Sequence, residues 1–573
     1  MRLLVVRPGD CPRRRRLASS LLGDMNALGR HGIAHERGSF HGSAPGLAGW
    51  RSRDAALALP QRLAAFLLLA GGAVTGAVIL WAGRGETFFA DEWSFVVGRR
   101  GWTTNTFLEP HGEHISVLPV AIYKLLFAIV GLHAYWPYRF ALLLAHLACV
   151  GLVFMLARRR VGEPAAALAA SFLLVLGSAW EMLLYPFELT LLGSVLLGLV
   201  ALDSLDRGGV RGDLFALVAL VGAACSSSAG LPFLAGVAAE LVLRRAWRKL
   251  WIVGIPSLLY GVWWLEYGRA ATARVHLLAQ AHAVPVYVLH SIEAAVFGAV
   301  PLTSGSIGIV VMLIALLVVL RVARSPRTLT PRLGGLVVAG VTFWVLTGLG
   351  RAQVSSGESR YSYFGVVFLQ LAAVELSRGA RLDRRIGVGL CIVLAASAVS
   401  NLRSLDDGGA FLRGHGVTLR AELTALGRLD SPPPATFVPE PAWDPDLRMG
   451  DYAAATHDLG SIAEGLPRLR AAPEDAREAA DRVLLRAEPP TIRAVHAPAC
   501  AVRAKSVALS PRARRIVVTA AAPFTLHIRL FASAFIRPGT VVVQAGRHEV
   551  RLPAVESGVG WHAEAGGGGR ICT

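Results

Sequence analysis

Long apolar stretches separated by short polar turns run from residue 63 to residue 400. A helix of about 17 to 22 apolar residues is long enough to cross a hydrocarbon core ~30 Å thick. The pattern therefore predicts a polytopic α-helical membrane protein with eleven crossings. They are residues 63–82, 137–157, 165–183, 188–204, 213–229, 230–243, 250–267, 305–321, 333–350, 361–377 and 386–400.

Arginine-rich turns predict the orientation of these crossings, because cytoplasmic loops carry an excess of Arg and Lys. Arg158 to Arg160 form one such turn, and a basic N-terminus precedes the first crossing. An even number of crossings must separate two cytoplasmic segments. The apolar segments 115–130 and 284–300 are therefore predicted to lie along the outer interface or to dip in and return. Eleven crossings from a cytoplasmic start leave the C-terminus outside.

Composition supports the membrane class and limits the partners. The 573 residues are 54% hydrophobic and 17% charged, with a mean hydropathy of +0.51, which is too apolar for one soluble core. The formal net charge of +19 resides largely in the basic turns, so no nucleic-acid partner is implied. Residues 1–62 are expected to form a disordered basic cytoplasmic tail rather than a cleaved signal peptide, with Met25 as an alternative start. Only three lysines accompany the abundant arginine, alanine and glycine, which indicates a high-GC bacterial genome, so the predicted localisation is a bacterial plasma membrane.

Beyond the transmembrane domain at residues 63–400, the composition changes twice. Residues 401–490 contain several prolines and a polar helical pattern at 468–487, which predicts a linker with a helical segment. Residues 491–573 have strand composition at 515–520, 524–531, 540–544 and 548–552, which predicts a small β-rich domain outside the cytoplasm. Cys500 and Cys572 both fall in that domain, and a disulfide between them and two free thiols are both compatible with the sequence.

The first outer loop, residues 83–136, carries the most informative residues. Asp91 and Glu92 directly follow the first crossing, and His111, Glu113 and His114 lie about 20 residues further along. An Asp at this place can cap a surface helix by accepting orphan amide hydrogen bonds. It can equally act as a general base for an acceptor at the membrane face. The length of the loop favours the second interpretation, because a simple connector would be shorter.

The run from Phe89 to Arg160 resembles the first-loop region of the GT-C superfamily of membrane glycosyltransferases, in particular the branch of protein O-mannosyltransferases and lipid A aminoarabinose transferases. Those proteins carry an Asp-Glu pair after the first span, a His-Pro-Pro-Leu-like motif leading a juxtamembrane helix, and an Arg near the start of the second span. Asp91-Glu92 and Arg139 match two of these features. The sequence from His114 to Pro119 departs from the third, because its one proline comes five residues after the histidine.

The resemblance implies an enzyme that moves a hexosyl or pentosyl group from a polyprenyl-phosphate donor to an envelope glycan, lipid or protein on the outer face. Asp91 would be the base, and Glu92 would orient the site or raise the pKa of its partner. Inversion at the anomeric carbon would follow. The leaving phosphate needs fixed cations, and the substrate-binding candidates on the outer side are Arg139, Arg351 and Arg360 with Tyr361. Glu181, Tyr185 and Glu188 are candidates for the acceptor groove or for a solvated turn.

His111, Glu113 and His114 are further substrate-binding candidates, although a turn with two histidines is often only a hydrogen-bonded loop. Their spacing matches no metalloprotease helix, so no metal ligands are assigned and a divalent cofactor is left open. Two other function classes compete. A transporter or flippase of envelope precursors would show charged or broken segments at mid-membrane and an internal repeat. A catalytically inert membrane protein would bind envelope material through the β-rich domain.

Overall fold

The computed structural model describes residues 61–272, 281–300, 321, 323, 329–351, 358–380, 383–496, 503–535 and 539–572. Residues 1–60 of the predicted basic tail and residues 305–320 of the eighth predicted crossing lie outside these residues, and the last two tail residues, Gln61 and Arg62, belong to the first helix. So does Cys500, one of the two cysteines of the predicted C-terminal domain.

Seven of the described helical segments are long and apolar enough to cross a membrane, which confirms a multi-pass membrane protein. They are Leu63–Ala82, Trp136–Val161, Glu163–Leu184, Pro186–Arg207, Gly209–Ser226, Pro331–Arg351 and Arg384–Leu426. The predicted total of eleven is not confirmed by this set.

The described α-helices are numbered in chain order. They are α1 Gln61–Ala82, α2 Glu92–Gly98, α3 Thr104–Leu108, α4 Val117–Val130, α5 Trp136–Val161, α6 Glu163–Leu174, α7 Trp180–Leu184, α8 Leu189–Arg207, α9 Gly209–Ser226, α10 Leu231–Leu243, α11 Trp251–Trp263, α12 Arg269–Thr272, α13 Val284–Ala299, α14 Pro331–Arg351, α15 Ser359–Leu376, α16 Arg384–Leu426, α17 Met449–Leu459, α18 Leu466–Ala471 and α19 Glu474–Ala487. Short 3₁₀ segments cover Gly177–Ala179, Pro186–Glu188, Ser228–Gly230, Trp247–Lys249 and Ala281–Ala283, and a π-helical turn covers Trp264–Gly268.

The segment predicted to lie along the outer interface forms α4, which has only 14 residues and includes Pro119 in its first turn. Lys124 of this helix donates hydrogen bonds to the carbonyls of Arg99 and Gly101, at 2.6 and 2.5 Å. A helix of this length spans about 21 Å at 1.5 Å per residue, which is shorter than the hydrocarbon core. Its one lysine therefore ties it to the polar first loop.

Buried ion pairs join the ends of several long helices that carry the predicted cytoplasmic turns. Arg160 Nη2 of α5 lies 2.9 Å from Asp206 Oδ2 of α8. Arg332 of α14 bridges the same Asp206, at 2.9 Å, and Glu240 of α10, at 2.7 Å. Buried charges are tolerated only when they are paired, so the basic residues of these turns also fix the helices against one another.

Helix α16 runs without a break for 43 residues and passes through the predicted domain boundary at residue 400. Its sequence becomes polar there but contains no proline, so the helix continues and only its surroundings change. The predicted helix at 468–487 is instead two helices, α18 and α19, because Pro473 stands at the N-cap of the second. Helix α19 packs against α16 and connects the helical part with the C-terminal strands.

Two antiparallel sheets form the C-terminal region, as its strand composition predicts. The strands are β1 Thr491–Ala494, β2 Arg503–Ala504, β3 Ser506–Ala508, β4 Arg515–Ala520, β5 Phe524–Arg529, β6 Gly539–Val543, β7 Gly546–Arg551, β8 His562–Ala565 and β9 Arg570–Cys572. One sheet has the order β1-β7-β4-β9-β2 and the other β3-β8-β5-β6. Alternate residues such as Val518, Leu526, Val550 and Ile571 are fully buried in the core of this region.

Candidate functional site

A tight turn that follows α1 presents Asp91. Ala90 has a left-handed backbone, with φ of 45°, which L-residues adopt only when their surroundings impose it. The Ala90 N–H donates to Asp444 Oδ1 at 2.7 Å, and Asp444 Oδ2 lies 2.9 Å from His415 Nε2. Asp444 is fully buried and belongs to the proline-rich segment 432–445, and His415 belongs to α16. These two parts of the chain therefore hold the turn that carries Asp91.

Glu92 does not face a substrate space, because its side chain is fully buried. Its carboxyl group accepts hydrogen bonds from Tyr123 at 2.5 Å, from Tyr135 at 2.7 Å and from the Phe89 N–H at 3.0 Å. Burial raises the pKa of Glu92 to about 8, against the opposing effect of these donors. This residue fixes the loop against α4 and the start of α5.

Asp91 is the carboxylate that remains accessible, with 46% of its side chain exposed. It precedes α2 but makes no side-chain hydrogen bond to the backbone of that helix, so the helix-cap interpretation does not hold. Burial acts to raise its pKa, but the neighbouring His111, then Arg360 and Arg351, hold it below the ordinary value of 3.8. The alternative in which Glu92 raises the pKa of Asp91 is therefore wrong.

The predicted histidine turn lies beside Asp91. His111 Nε2 is 3.7 Å from Asp91 Oδ1, and its Nδ1 is 2.9 Å from the hydroxyl of Ser94. Ser94 in turn donates to the Asp91 carbonyl at 2.7 Å. His111 and His114 exchange backbone hydrogen bonds, which closes the turn at Gly112. The turn thus places one imidazole against the proposed base.

Glu113 and Arg351 connect this turn with the end of α14. Arg351 Nη2 lies 3.5 Å from Glu113 Oε1, which is also 3.5 Å from His114 Nε2. Burial, then Arg351 and His111, lower the pKa of His114 despite the opposing charges of Glu113 and Asp91. Arg351 keeps 39% of its side chain exposed, so its guanidinium still has room for an anion.

Arg360 is surrounded by acids. Its guanidinium lies 3.2 Å from Glu358, 3.4 Å from Glu188 and 3.7 Å from Glu181. It also lies 5.9 Å from the ring centroid of Tyr361. Three carboxylates around one guanidinium leave it less available to a phosphate than Arg351, so the predicted acceptor-groove acids instead hold Arg360 in place.

Arg139 lies apart from the exposed carboxylate and is almost fully buried. Its Nε is 3.1 Å from Glu86 Oε2, and its Nη2 donates to the carbonyls of Ile79 and Leu80 at 2.9 Å. These carbonyls lie in the last turn of α1, and the Ile79 carbonyl also accepts a hydrogen bond from the Gly83 N–H at 3.2 Å. The guanidinium that was predicted to bind phosphate is therefore occupied by the end of the first crossing.

Sequence reasoning missed Asp444, His415 and Glu86. Asp444 and His415 are separated from Asp91 by more than 300 positions, and no motif links them to it. The one available signal was a Trp-Asp pair inside the proline-rich segment, at Trp443 and Asp444. Within the described residues, no group of three or more His, Cys, Asp or Glu side chains is arranged to hold a metal ion.

Comparison with known proteins gives one structural likeness. No family model matches the chain, and no curated protein matches it. The chain is similar to ArnT from Cupriavidus metallidurans, solved bound to undecaprenyl phosphate, with a TM-score of 0.41 and 16% identity over 63% of this chain and 80% of that one. At this identity and score, the family, substrate and reaction of the present chain stay predictions.

Proposed function

We propose that this membrane protein is a glycosyltransferase that moves a sugar from a polyprenyl-phosphate donor to a hydroxyl of an envelope acceptor on the outer face. The observation that carries the proposal is Asp91. It is an exposed carboxylate with a lowered pKa, fixed on a strained turn at the end of an apolar helix. A buried and rigid support for one accessible carboxylate is the arrangement that general-base catalysis requires.

In the proposed reaction, the acceptor oxygen forms a bond to the anomeric carbon while the bond from that carbon to the donor phosphate breaks. The hydroxyl proton passes to Asp91, and the bond pair goes to the lipid phosphate. Attack from the face opposite the phosphate inverts the anomeric centre. His111, 3.7 Å from Asp91, is placed to receive the proton afterwards.

The leaving phosphate needs a cation, and Arg351 is the strongest of the three candidates. It is partly exposed and has one carboxylate contact at 3.5 Å, whereas Arg139 is buried and Arg360 is held by three acids. A guanidinium in a water-poor site stabilises the charge that develops on a phosphate oxygen. That the acceptor is an envelope component and that the transferred group is a sugar are parts of the same proposal.

Transfer of radiolabelled sugar from a panel of polyprenyl-phosphate donors to envelope extracts tests the proposal. Equal amounts of the intact protein, of Asp91→Asn and of Asp451→Asn are compared in the same membranes. Asp451 is an exposed acid on α17 and serves as the matched control. We expect Asp91→Asn to lose about 10²- to 10⁴-fold in rate, the usual contribution of a general base, and Asp451→Asn to lose nothing.

Two results would overturn the proposal. Undiminished transfer by Asp91→Asn would show that Asp91 is not the base. If the folded and membrane-inserted protein transfers sugar from none of the donors, it is not a glycosyltransferase of this class. That result would favour a transporter or a catalytically inert membrane protein.

A further inference from the structure

The five-stranded sheet of the C-terminal region has one face that is rich in arginine. In antiparallel pairs, residues directly opposite one another point to the same side of the sheet. Arg551 is opposite both Thr491 and Arg515, and Glu549 is opposite both Arg493 and Val517. Further along, Thr519 is opposite both Arg547 and Arg570, and Cys572 is opposite Arg503. Six arginines from five strands thus share a face with one glutamate.

We call this surface the arginine face. Its arginines are Arg493, Arg503, Arg515, Arg547, Arg551 and Arg570. Five of the six are exposed and Arg547 is half-buried. Arg515 lies 3.7 Å from Glu549, the one acid among the described strand residues of this face. Arg515 and Arg551 stand directly opposite one another on neighbouring strands, which are about 4.8 Å apart, and Thr519 separates Arg547 from Arg570, so the arginine positions are spread over the whole width of the sheet.

The other side of the same sheet is the core side. Ile516, Val518, Val550 and Ile571 alternate with the residues of the arginine face and are buried. The alternation therefore separates an apolar inner face from a strongly cationic outer face. The outer face of a sheet needs only to be polar, and most protein surfaces mix positive and negative side chains. A face with almost only positive side chains therefore indicates an anionic partner.

We infer that the arginine face binds a polyanionic polysaccharide, a chain with carboxylate or phosphate groups at regular intervals. Guanidinium groups pair with both anions through two parallel hydrogen bonds. None of the strand residues on this face is aromatic, so the face lacks the side chains that insert into a bilayer surface. Cys572 is disulfide-bonded, which fits an oxidising compartment and argues against nucleic acid.

The inference does not rest on the glycosyltransferase reaction, because the face belongs to a different part of the chain from Asp91. It is tested with the full-length protein in nanodiscs of zwitterionic lipid. Binding of fluorescent polygalacturonate and of fluorescent dextran phosphate is measured by anisotropy at low salt, with neutral dextran of the same length alongside. The face variant and its control each remove three positive charges from exposed residues. The face variant is Arg493→Gln/Arg515→Gln/Arg551→Gln, and the control is Arg448→Gln/Arg468→Gln/Arg512→Gln.

We expect saturable binding of at least one polyanion, weakened by salt, and no binding of dextran. The face variant should bind about tenfold more weakly while the control changes little, since three exposed charge contacts together contribute about that factor. Equal melting temperatures exclude loss of the fold as the cause. Undiminished binding by the face variant, or binding to vesicles of phosphatidylglycerol but to neither polymer, would overturn the inference.

Discussion

The Ala90 N–H donates a 2.7 Å hydrogen bond to Asp444, a residue 354 positions later in the chain. This bond holds Ala90, which directly precedes Asp91 and has a left-handed backbone with φ of 45°. A left-handed alanine costs about 1 to 2 kcal/mol, so it persists only because its surroundings hold it. The direction of the Asp91 carboxylate therefore depends on the proline-rich segment.

Replacement of Asp444 by Ala should consequently impair the site without touching Asp91. The Ala90 N–H and His415 both lose their partner, and a shift of about 1 Å at a reacting group can cost about 10²-fold in rate. Transfer assays should show that loss, and Asp444→Asn, which keeps an acceptor for Ala90, should lose less. Ala90→Gly should stay active because glycine adopts this backbone freely. Full activity of Asp444→Ala would contradict the dependence.

The pH dependence of the reaction should carry the signature of Asp91. Burial opposes ionisation of Asp91, but His111 and the two arginines lower its pKa below 3.8, so the base stays ionised in neutral and mildly acidic solution. As pH falls, kcat/KM should decline only below that ordinary value. His111→Gln removes the largest lowering cause, and it should move the acid limb of the profile upward. An acid limb that is unchanged in His111→Gln would show that another group controls it.

The two adjacent carboxyl groups should respond differently to amide substitution. Burial raises the pKa of Glu92 to about 8, so it is largely protonated at neutral pH and Gln is a close substitute. We expect Glu92→Gln to keep most of its activity, in contrast to Asp91→Asn. Because the folded-state pKa exceeds the ordinary value of 4.5, the free energy of unfolding should fall as pH rises from about 4.5 to about 8. Melting curves across this range should show the fall, and Glu92→Gln should reduce it.

The sequence was sufficient to predict what local pattern controls. Apolar length predicted the multi-pass class, and strand composition predicted strands such as β4 and β5. The sequence also singled out Asp91 as the base, and that role stays a prediction for a carboxylate that is 46% exposed. Periodicity did not reveal that Glu92 would be buried between two tyrosines, because that burial depends on how α4 and α5 pack. The same holds for Asp444, since long-range hydrogen bonds leave no local signal. Pro473 is the local signal for the break in the predicted helix 468–487, because it stands at the N-cap of α19.

Arg139 should behave as a structural residue. Arg139→Gln removes the partner of Glu86 and the donors to the last carbonyls of α1, and breaking a buried ion pair costs about 3 to 5 kcal/mol. The melting temperature in detergent should fall, while the KM for the donor stays unchanged in the protein that remains folded. The double variant Glu86→Gln/Arg139→Gln should recover part of the loss, because no unpaired carboxylate is left. A raised KM for the donor in Arg139→Gln, with an unchanged melting temperature, would show that Arg139 binds the donor.

Arg351 should instead control the use of the donor. Its guanidinium is partly exposed, contacts Glu113 at 3.5 Å and contributes to the lowered pKa of Asp91, so it lies near both the base and the open side of the site. Arg351→Gln removes a charge-assisted contact of about 1.5 to 3 kcal/mol and should lower kcat/KM about 10- to 10²-fold. Arg351→Lys should recover only part, because an ammonium cannot bind two phosphate oxygens in parallel. Arg84→Gln, at an exposed arginine just after α1, is the matched control and should leave kcat/KM unchanged. Equal kcat/KM for Arg351→Gln and the intact protein would exclude Arg351 from phosphate binding.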